Sequence, residues 1–455
     1  MHSRRPIINH RGNGRGNGCS GRGEEEGYEK EKATKSNSTA STSKSQDQPK
    51  QQRAAILADT LDYAAVSMYN QDVRGAVMTP ASLLTALEDP KDESVFYHLW
   101  VAARQAVEEG CRRGGMELRA ILRDAMERLV VEAGWALRER SGGRLIAFVD
   151  PRRYDDAGAM ARSARRLVRL FRLRGVSQSD VFISIPATED GVAAARELAE
   201  QGIRTNLTLV AGLMHAAVCA EAGATTVTIA VGPLLDAHER RRGTAYPDLA
   251  LHPGIEIIQA IQAYFELHNL NARLVGRDFR KFRELQALPG FDAICLTETQ
   301  LAVPRWQATA RGGSAKARHA ARAPAADMRA RQAQRPSEFL EHVSGAGFME
   351  WMSASAREIL AEAMFPALEH MEIKMNIIER TMQREVAWQL TLRRTVSLRE
   401  LEVGLEQGRT EPQPTPPPAN RESGPENEKT TKKDTGSTRT PLGDQDNVQD
   451  PNEYF

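Results

Sequence analysis

The feature that most constrains this chain is a repeated alternation. Short apolar runs recur along it: AAILADT (54–60), VRGAVMTP (73–80), RLIAFVD (144–150), VFISIPA (181–187), TNLTLV (205–210), TTVTIAVG (225–232), NARLVGRDF (271–279) and DAICLTE (292–298). Between them lie stretches of helical spacing such as AMARSARRLVRLFRL and DGVAAARELAEQG. Runs of this length, closed by turn residues, read as buried strands. Strand, helix, strand repeated through eight runs predicts an α/β chain closed as a parallel (β/α)8 TIM barrel. An open doubly wound sheet is the alternative. Eight comparable strands favour closure, and no Gly-rich phosphate loop follows the first.

The ends are different. Residues 1–52 carry RGNGRGN, an acidic cluster and a Ser/Thr/Lys/Gln stretch, and residues 408–455 carry PQPTPPP and a charged tail. Neither holds enough large apolar side chains to offset the entropy of ordering, so both are expected to be disordered tails. The expected organisation is then a barrel over 53–305, a basic Ala/Arg-rich loop over 306–336, and helices over 337–407 that cover the barrel. In the last of these, Met364, Leu368, Met371, Met375, Ile378 and Met382 recur at spacings of four and three, which makes one apolar stripe. The stripe is expected to pack on the barrel; a homodimer contact is the alternative. The basic segment sets seven Lys and Arg against Asp327 alone and is read as solvated, with anion binding as the alternative.

Lys and Arg total 61 against 60 Asp and Glu, so no global charge points to nucleic acid or a membrane surface. The Arg/Gly tail has few aromatics for stacking on bases, and is read as a linker rather than a nucleic-acid contact. Cys19, Cys111, Cys219 and Cys295 are too widely spaced for a zinc cluster or a disulfide framework. No apolar run approaches the ~18 residues a membrane helix needs. A soluble, cytoplasmic protein with no cofactor and no metal is expected.

Within the fourth run, VFISIPATEDG, alternation places Phe182, Ser184 and Pro186 on one side of the strand. The run and its neighbours resemble the transaldolases. ILADTLDYAAV is similar to that family's first strand. SIPATEDGVAAARELAEQGIRTNLTLV with CAEAGATTVTIAVGPLLD is similar to its central region, and VGRDFRK to its seventh-strand motif. The resemblance spans about residues 54–390 and implies the family's reaction, transfer of a dihydroxyacetone unit between sugar phosphates in the pentose phosphate pathway. In that chemistry a strand-four lysine forms a Schiff base, a carboxylate moves the proton, and Arg and Ser residues grip the phosphate.

Carried over by position, the resemblance makes Asp59 the acid/base, Asn206 the residue that holds the intermediate and Thr208 the one that positions water. Thr228 stands for a similar Ser, and Arg280 for one phosphate-binding Arg. Other positions depart from the pattern. Ser184 stands where the lysine would be, Phe148 where a Glu would be, Thr79 for an Asn, Pro233 for a second Arg and Asp278 for a phosphate-binding Ser. A serine cannot form a cationic iminium. Phenylalanine moves no proton, and the loss of one general acid/base costs about 10²–10⁴-fold. Asp278 would repel a phosphate and is placed to pair with Arg280.

From Arg53 to Trp306 the chain has only Lys91 and Lys281, neither inside a strand. Arginines cannot stand in, because they do not deprotonate. Ser184 is therefore read as a small polar filler. His215, the nearest histidine, is expected to face the helix layer, and Arg240, Arg241 and Arg242 to form solvated surface. The expectation is a transaldolase-like barrel that has lost catalysis and binds a sugar phosphate or another small anionic ligand, or a protein partner. An enzyme of altered mechanism on a different carbonyl or sugar substrate is the second reading.

Overall fold

In a computed structural model, residues 54–69, 71–89, 93–114, 117–312, 320–335 and 347–407 are described. The two expected tails, Lys91 and the centre of the basic segment lie outside the described residues. Eight parallel strands close into a barrel in chain order. They are β1 Ala55–Asp59, β2 Val73–Val77, β3 Arg144–Phe148, β4 Val181–Pro186, β5 Thr205–Thr208, β6 Thr226–Ala230, β7 Arg273–Arg277 and β8 Ala293–Thr297. Each coincides with one of the eight apolar runs. Closure comes from β1 against β8, in register from Ala55 with Ala293 through Asp59 with Thr297. No strand edge is left open for another chain to pair with.

Because side chains alternate along a strand, every second residue enters the barrel. Leu57, Val77, Ile146, Phe182, Val275, Ala293 and Cys295 meet there as an apolar core. Above it, toward the strand C-termini, the register aligns Phe148 with Ser184, and Ser184 with Asn206. In β4, Ser184 is the one residue that is not fully buried. The barrel thus changes from apolar to polar along its axis.

Local chemistry sets the helices that carry these strands. Asp156 caps Ala157–Leu173, whose Met160, Ala164, Leu167, Val168 and Phe171 repeat at helical spacing and are buried. Thr188 caps Glu189–Glu200 through the Gly191 N–H, and Glu189 and Asp190 lie in the first turn, where the helix dipole favours negative charge. Glu189 also accepts from the N–H groups of Gly347 and Met349, at 3.0 and 3.1 Å, which ties the segment before the last helix to this end of the barrel.

The described residues divide between two compact units, one drawn from 1–92 and 133–375, the other from 93–132 and 376–455. The first contains the barrel. The second contains the helix Ser94–Arg112 and the start of Leu118–Ser141, where Arg128 bonds Asp124 and Gln105. The C-terminal helix runs from Ala354 to Gln407. Of its apolar stripe, Met364, Leu368 and Met375 are buried in the first unit, and Ile378 and Met382 in the second.

The basic segment differs from the expected solvated loop. Pro304–Arg311 and Pro324–Gln332 are helices. Ala326 and Ala330, four apart, are buried. Arg322 pairs with Glu266, and Arg329 with Glu256, so part of the charge that suggested a solvated loop is paired with the helix Pro253–Leu267. Helical spacing of small residues was visible in this stretch, but charge density masked it. No described helix is long and apolar enough to cross a membrane.

A Cβ at Gly191 would collide with the Pro186 carbonyl at the end of β4. Gly191→Ala is expected to destabilise the fold by about 1–3 kcal/mol through overpacking. A lowered thermal midpoint in the purified variant checks this; an unchanged midpoint would show that the helix can move away from the strand freely.

Candidate functional site

At the C-terminal end of the strands a cavity is lined by Thr79, Phe148, Ser184, Pro186, Asn206, Thr208, Thr228, Arg277, Cys295 and Met371, among others. This is the end at which barrels of this kind carry their sites. The last helix supplies Met371 as part of the wall. The space open to water is about 30 Å³, room for only one or two molecules of solvent.

Asn206 organises the polar half. Its Oδ1 accepts from Thr228 at 2.6 Å and Thr226 at 2.8 Å, and its Nδ2 donates to Ser184 Oγ at 3.0 Å. With both threonines donating to its carbonyl oxygen, the amide directs its N–H groups at β4. Thr208 is also buried, and its hydroxyl has no hydrogen-bond partner among the described residues. Just beyond it Leu209 takes a φ of 67°, left-handed for a residue with a branched side chain.

On the opposite wall Asp59 meets Arg277. The two side chains are only 9% and 12% exposed and approach to 3.2 Å. Burial pushes the Asp59 carboxyl up to about 6; Arg277 opposes that rise, the nearby Asp278 adds to it and Thr79 offsets it slightly. Although its burial disfavours charge, Arg277 is held firmly protonated by Asp278 and Asp59. Asp278 pairs with Arg277 at 3.0 Å rather than with Arg280. Its backbone is left-handed, with φ 59°, and its carbonyl accepts from the Gly232 N–H at 3.0 Å.

Arg280 is held elsewhere. Its guanidinium engages Asp236, Glu239 at 2.9 Å and Glu284 at 2.9 Å, and Glu284 is fully buried. Three carboxylates around one guanidinium leave little positive field for a phosphate. Pro233 lies in the first turn of the helix Val231–Arg242 and is not among the lining residues. Thr79 caps the helix Pro80–Glu88 and exchanges hydrogen bonds with Ser82. Arg240 and Arg241 bond the Glu362 carbonyl and the Glu358 carboxylate of the last helix.

Ser184 accepts from the neutral Asn206 amide, and no His, Asp or Glu bonds its hydroxyl among the described residues. His215 is fully buried, its Nε2 on the Ala187 carbonyl at 2.7 Å and its ring stacked on Phe348 at 5.4 Å. Burial holds it down at about 4, so it stays neutral. The Cys295 thiol is pushed up by burial and stays protonated. Lys281 caps the helix Phe282–Ala287 on the exposed surface. Among the described residues, no three His, Cys, Asp or Glu side chains cluster as a metal site.

Sequence reasoning missed Arg277, Thr226 and Met371. Arg277 had a signal: it lies two residues beyond Val275, so alternation directs it inward near Asp59. Thr226 is the inward residue before Thr228. Met371 reaches the cavity only through the path of the last helix, which no local pattern records.

A closed eight-stranded barrel with a polar cavity at its C-terminal end defines the class: a (β/α)8 barrel protein. The Transaldolase/Fructose-6-phosphate aldolase family profile matches residues 56–335, and the chain belongs to that family. It is 32% identical over 243 residues to the transaldolase of Shewanella baltica strain OS155, an alignment that covers 53% of this chain and 72% of the relative. It is 31% identical over 252 residues to the transaldolase of Sus scrofa, covering 55% and 72%. With the probable transaldolase of Dictyostelium discoideum, identity is 28% over 246 residues, covering 54% and 74%.

The folded Asp59 carboxyl keeps its proton to about pH 6, whereas an unfolded one releases it near 3.8. The folded state therefore binds the extra proton, and this part of the stability is full below about pH 4 and lost as pH rises through 6. Unfolding free energies of wild type and Asp59→Asn, measured from pH 4 to 7, are expected to shift relative to each other by about 3 kcal/mol, against the wild type at the higher pH. Parallel curves would show that Asp59 is ionised throughout.

Proposed function

We propose that this member of the transaldolase family does not carry out Schiff-base transfer of a dihydroxyacetone unit, and that its barrel acts by binding. The observation that carries this reading is Ser184 at the centre of β4. Its hydroxyl accepts from Asn206, and among the described residues no lysine lines the cavity. Without an amine no iminium forms, and without an iminium there is no electron sink for breaking a carbon–carbon bond. Phe148 in place of an acid and the pairing of Asp59 with Arg277 support the same reading.

The ligand this site suits is small and polar. Asn206, Thr208 and Ser184 offer hydrogen bonds, whereas Arg280 is occupied by carboxylates. A sugar phosphate would need the cavity to widen and Arg280 to leave its partners. The second reading, an altered enzyme on another carbonyl substrate, draws on the unpartnered Thr208 hydroxyl and the raised Asp59 carboxyl, the two groups that could hold a water and a proton.

The test is to incubate the protein with fructose 6-phosphate, reduce with borohydride and weigh the intact chain, beside a coupled transaldolase assay. Wild type is expected to give neither adduct nor turnover. A trapped adduct would overturn the reading, and peptide mapping would then begin at Lys374, half-buried one turn along the last helix from Met371. Ser184→Lys with Phe148→Glu is expected to gain a reducible adduct with dihydroxyacetone, because Asn206 remains braced to receive the intermediate.

A further inference from the structure

The opposite end of the barrel is built differently from the apolar closure that stability alone would favour. Around the N-termini of the strands a cavity of about 450 Å³ opens, against about 30 Å³ at the other end. Small-molecule sites typically occupy ~300–1,000 Å³. The cavity exists because its inward positions are small or long and charged, with little between. Ala55 and Ala293 fill almost nothing, while Arg144 and Arg273, at the starts of β3 and β7, reach outward rather than packing. Its floor is the underside of the apolar core, Leu57, Ile146, Phe182 and Val275.

Four arginines line it: Arg74, Arg138, Arg144 and Arg273. Arg138 is committed to Asp180 at 2.8 Å and to Glu139 at 2.9 Å. The other carboxylate on the wall, Asp292, accepts from the Leu274 N–H at 2.8 Å. Arg74, Arg144 and Arg273 form no ion pair among the described residues, and all three are exposed. Arg144 lies over the Phe182 ring at 5.8 Å, as does Arg204 from β5's lead-in, so the guanidinium at the floor is backed by an aromatic face. Two close approaches bring β2 and β3 together here. A Cβ on Gly75 would strike the Arg144 carbonyl, and one on Gly143 the Arg74 carbonyl. Those glycines place Arg74 and Arg144 side by side.

The Arg144 and Arg273 guanidinium groups, at inward positions of this one concave, apolar-floored space, repel each other, and the protein offers Arg144 only the Phe182 ring in return. An anion would supply what is missing, because guanidinium forks match phosphate oxygens two at a time. We propose that the N-terminal end of the barrel is a second ligand site, for a small phosphorylated polyanion held by Arg144 and Arg273, with Arg74 at its edge. It lies at the other end of the barrel from the cavity around Ser184, and its argument does not depend on whether that cavity is catalytic.

The test uses the full chain and inorganic tripolyphosphate as probe, by titration calorimetry at low and raised salt. Saturable one-to-one binding that weakens with salt is expected, because the contacts are ionic. Arg144→Gln and Arg273→Gln are each expected to weaken it about tenfold, Arg144→Lys less. Arg240→Gln with Arg241→Gln, on another part of the surface, should leave affinity unchanged. Circular dichroism and melting of each variant check the fold, and removing a repelling cation should not lower the midpoint. Absence of saturable binding to the wild type at millimolar probe would overturn the proposal. So would binding that survives both glutamine variants, or that is lost only when Arg240 and Arg241 change.

Discussion

Eight parallel strands closed in a ring leave one narrow interior, and every second residue of each strand must enter it. The rest of the molecule follows from that constraint. Slip one strand by a residue and its whole inward set changes places with the set that faces the helices. The register is therefore what brings Ser184 beside Asn206, Leu57 beside Cys295 and Asp59 to the rim where Arg277 arrives. The helices outside serve this arrangement: they cover the outward face of each strand and return the chain to the same end of the barrel.

Inside, the composition changes along the axis, and each level has its own physics. The middle is apolar and plugs the barrel. Above it, Asn206 gathers two threonine hydroxyls and hands a hydrogen bond to Ser184, a neutral network with no titratable member. At the rim the charges pair among themselves, Asp59 and Asp278 with Arg277, and Asp236, Glu239 and Glu284 with Arg280. A rim that satisfies its own charges offers an incoming anion little. At the opposite end, Arg74, Arg144 and Arg273 form no ion pair among the described residues. The two mouths of one barrel thus present opposite electrostatic situations, built from the same residue type.

Much of this was legible beforehand. All eight strands fell on the apolar runs, since strands buried on both faces are apolar nearly throughout. Alternation placed Ser184 inside. His215 departs from the expectation that it faces the helix layer: its Nε2 meets the carbonyl of Ala187, just beyond β4, and its ring stacks on Phe348. What failed to show were pairings between distant residues. Arg280 meets carboxylates about 40 residues away, from the helix Val231–Arg242, and Arg322 and Arg329 of the basic segment meet Glu266 and Glu256. Local charge counts cannot register partners that the chain brings together only by folding.

The sequence by itself determined the period: where strands fall, which residues turn inward, and that a serine rather than an amine occupies the middle of β4. These depend on neighbours within a few positions, and short-range sterics and hydrophobicity settle them. Only the tertiary structure decided which inward residues share a level, which cations are matched and which are left bare, and how much space remains at each mouth. Those outcomes depend on closing a ring of eight strands drawn from residues 55–297, where contact is set by geometry across the barrel and not by distance along the chain.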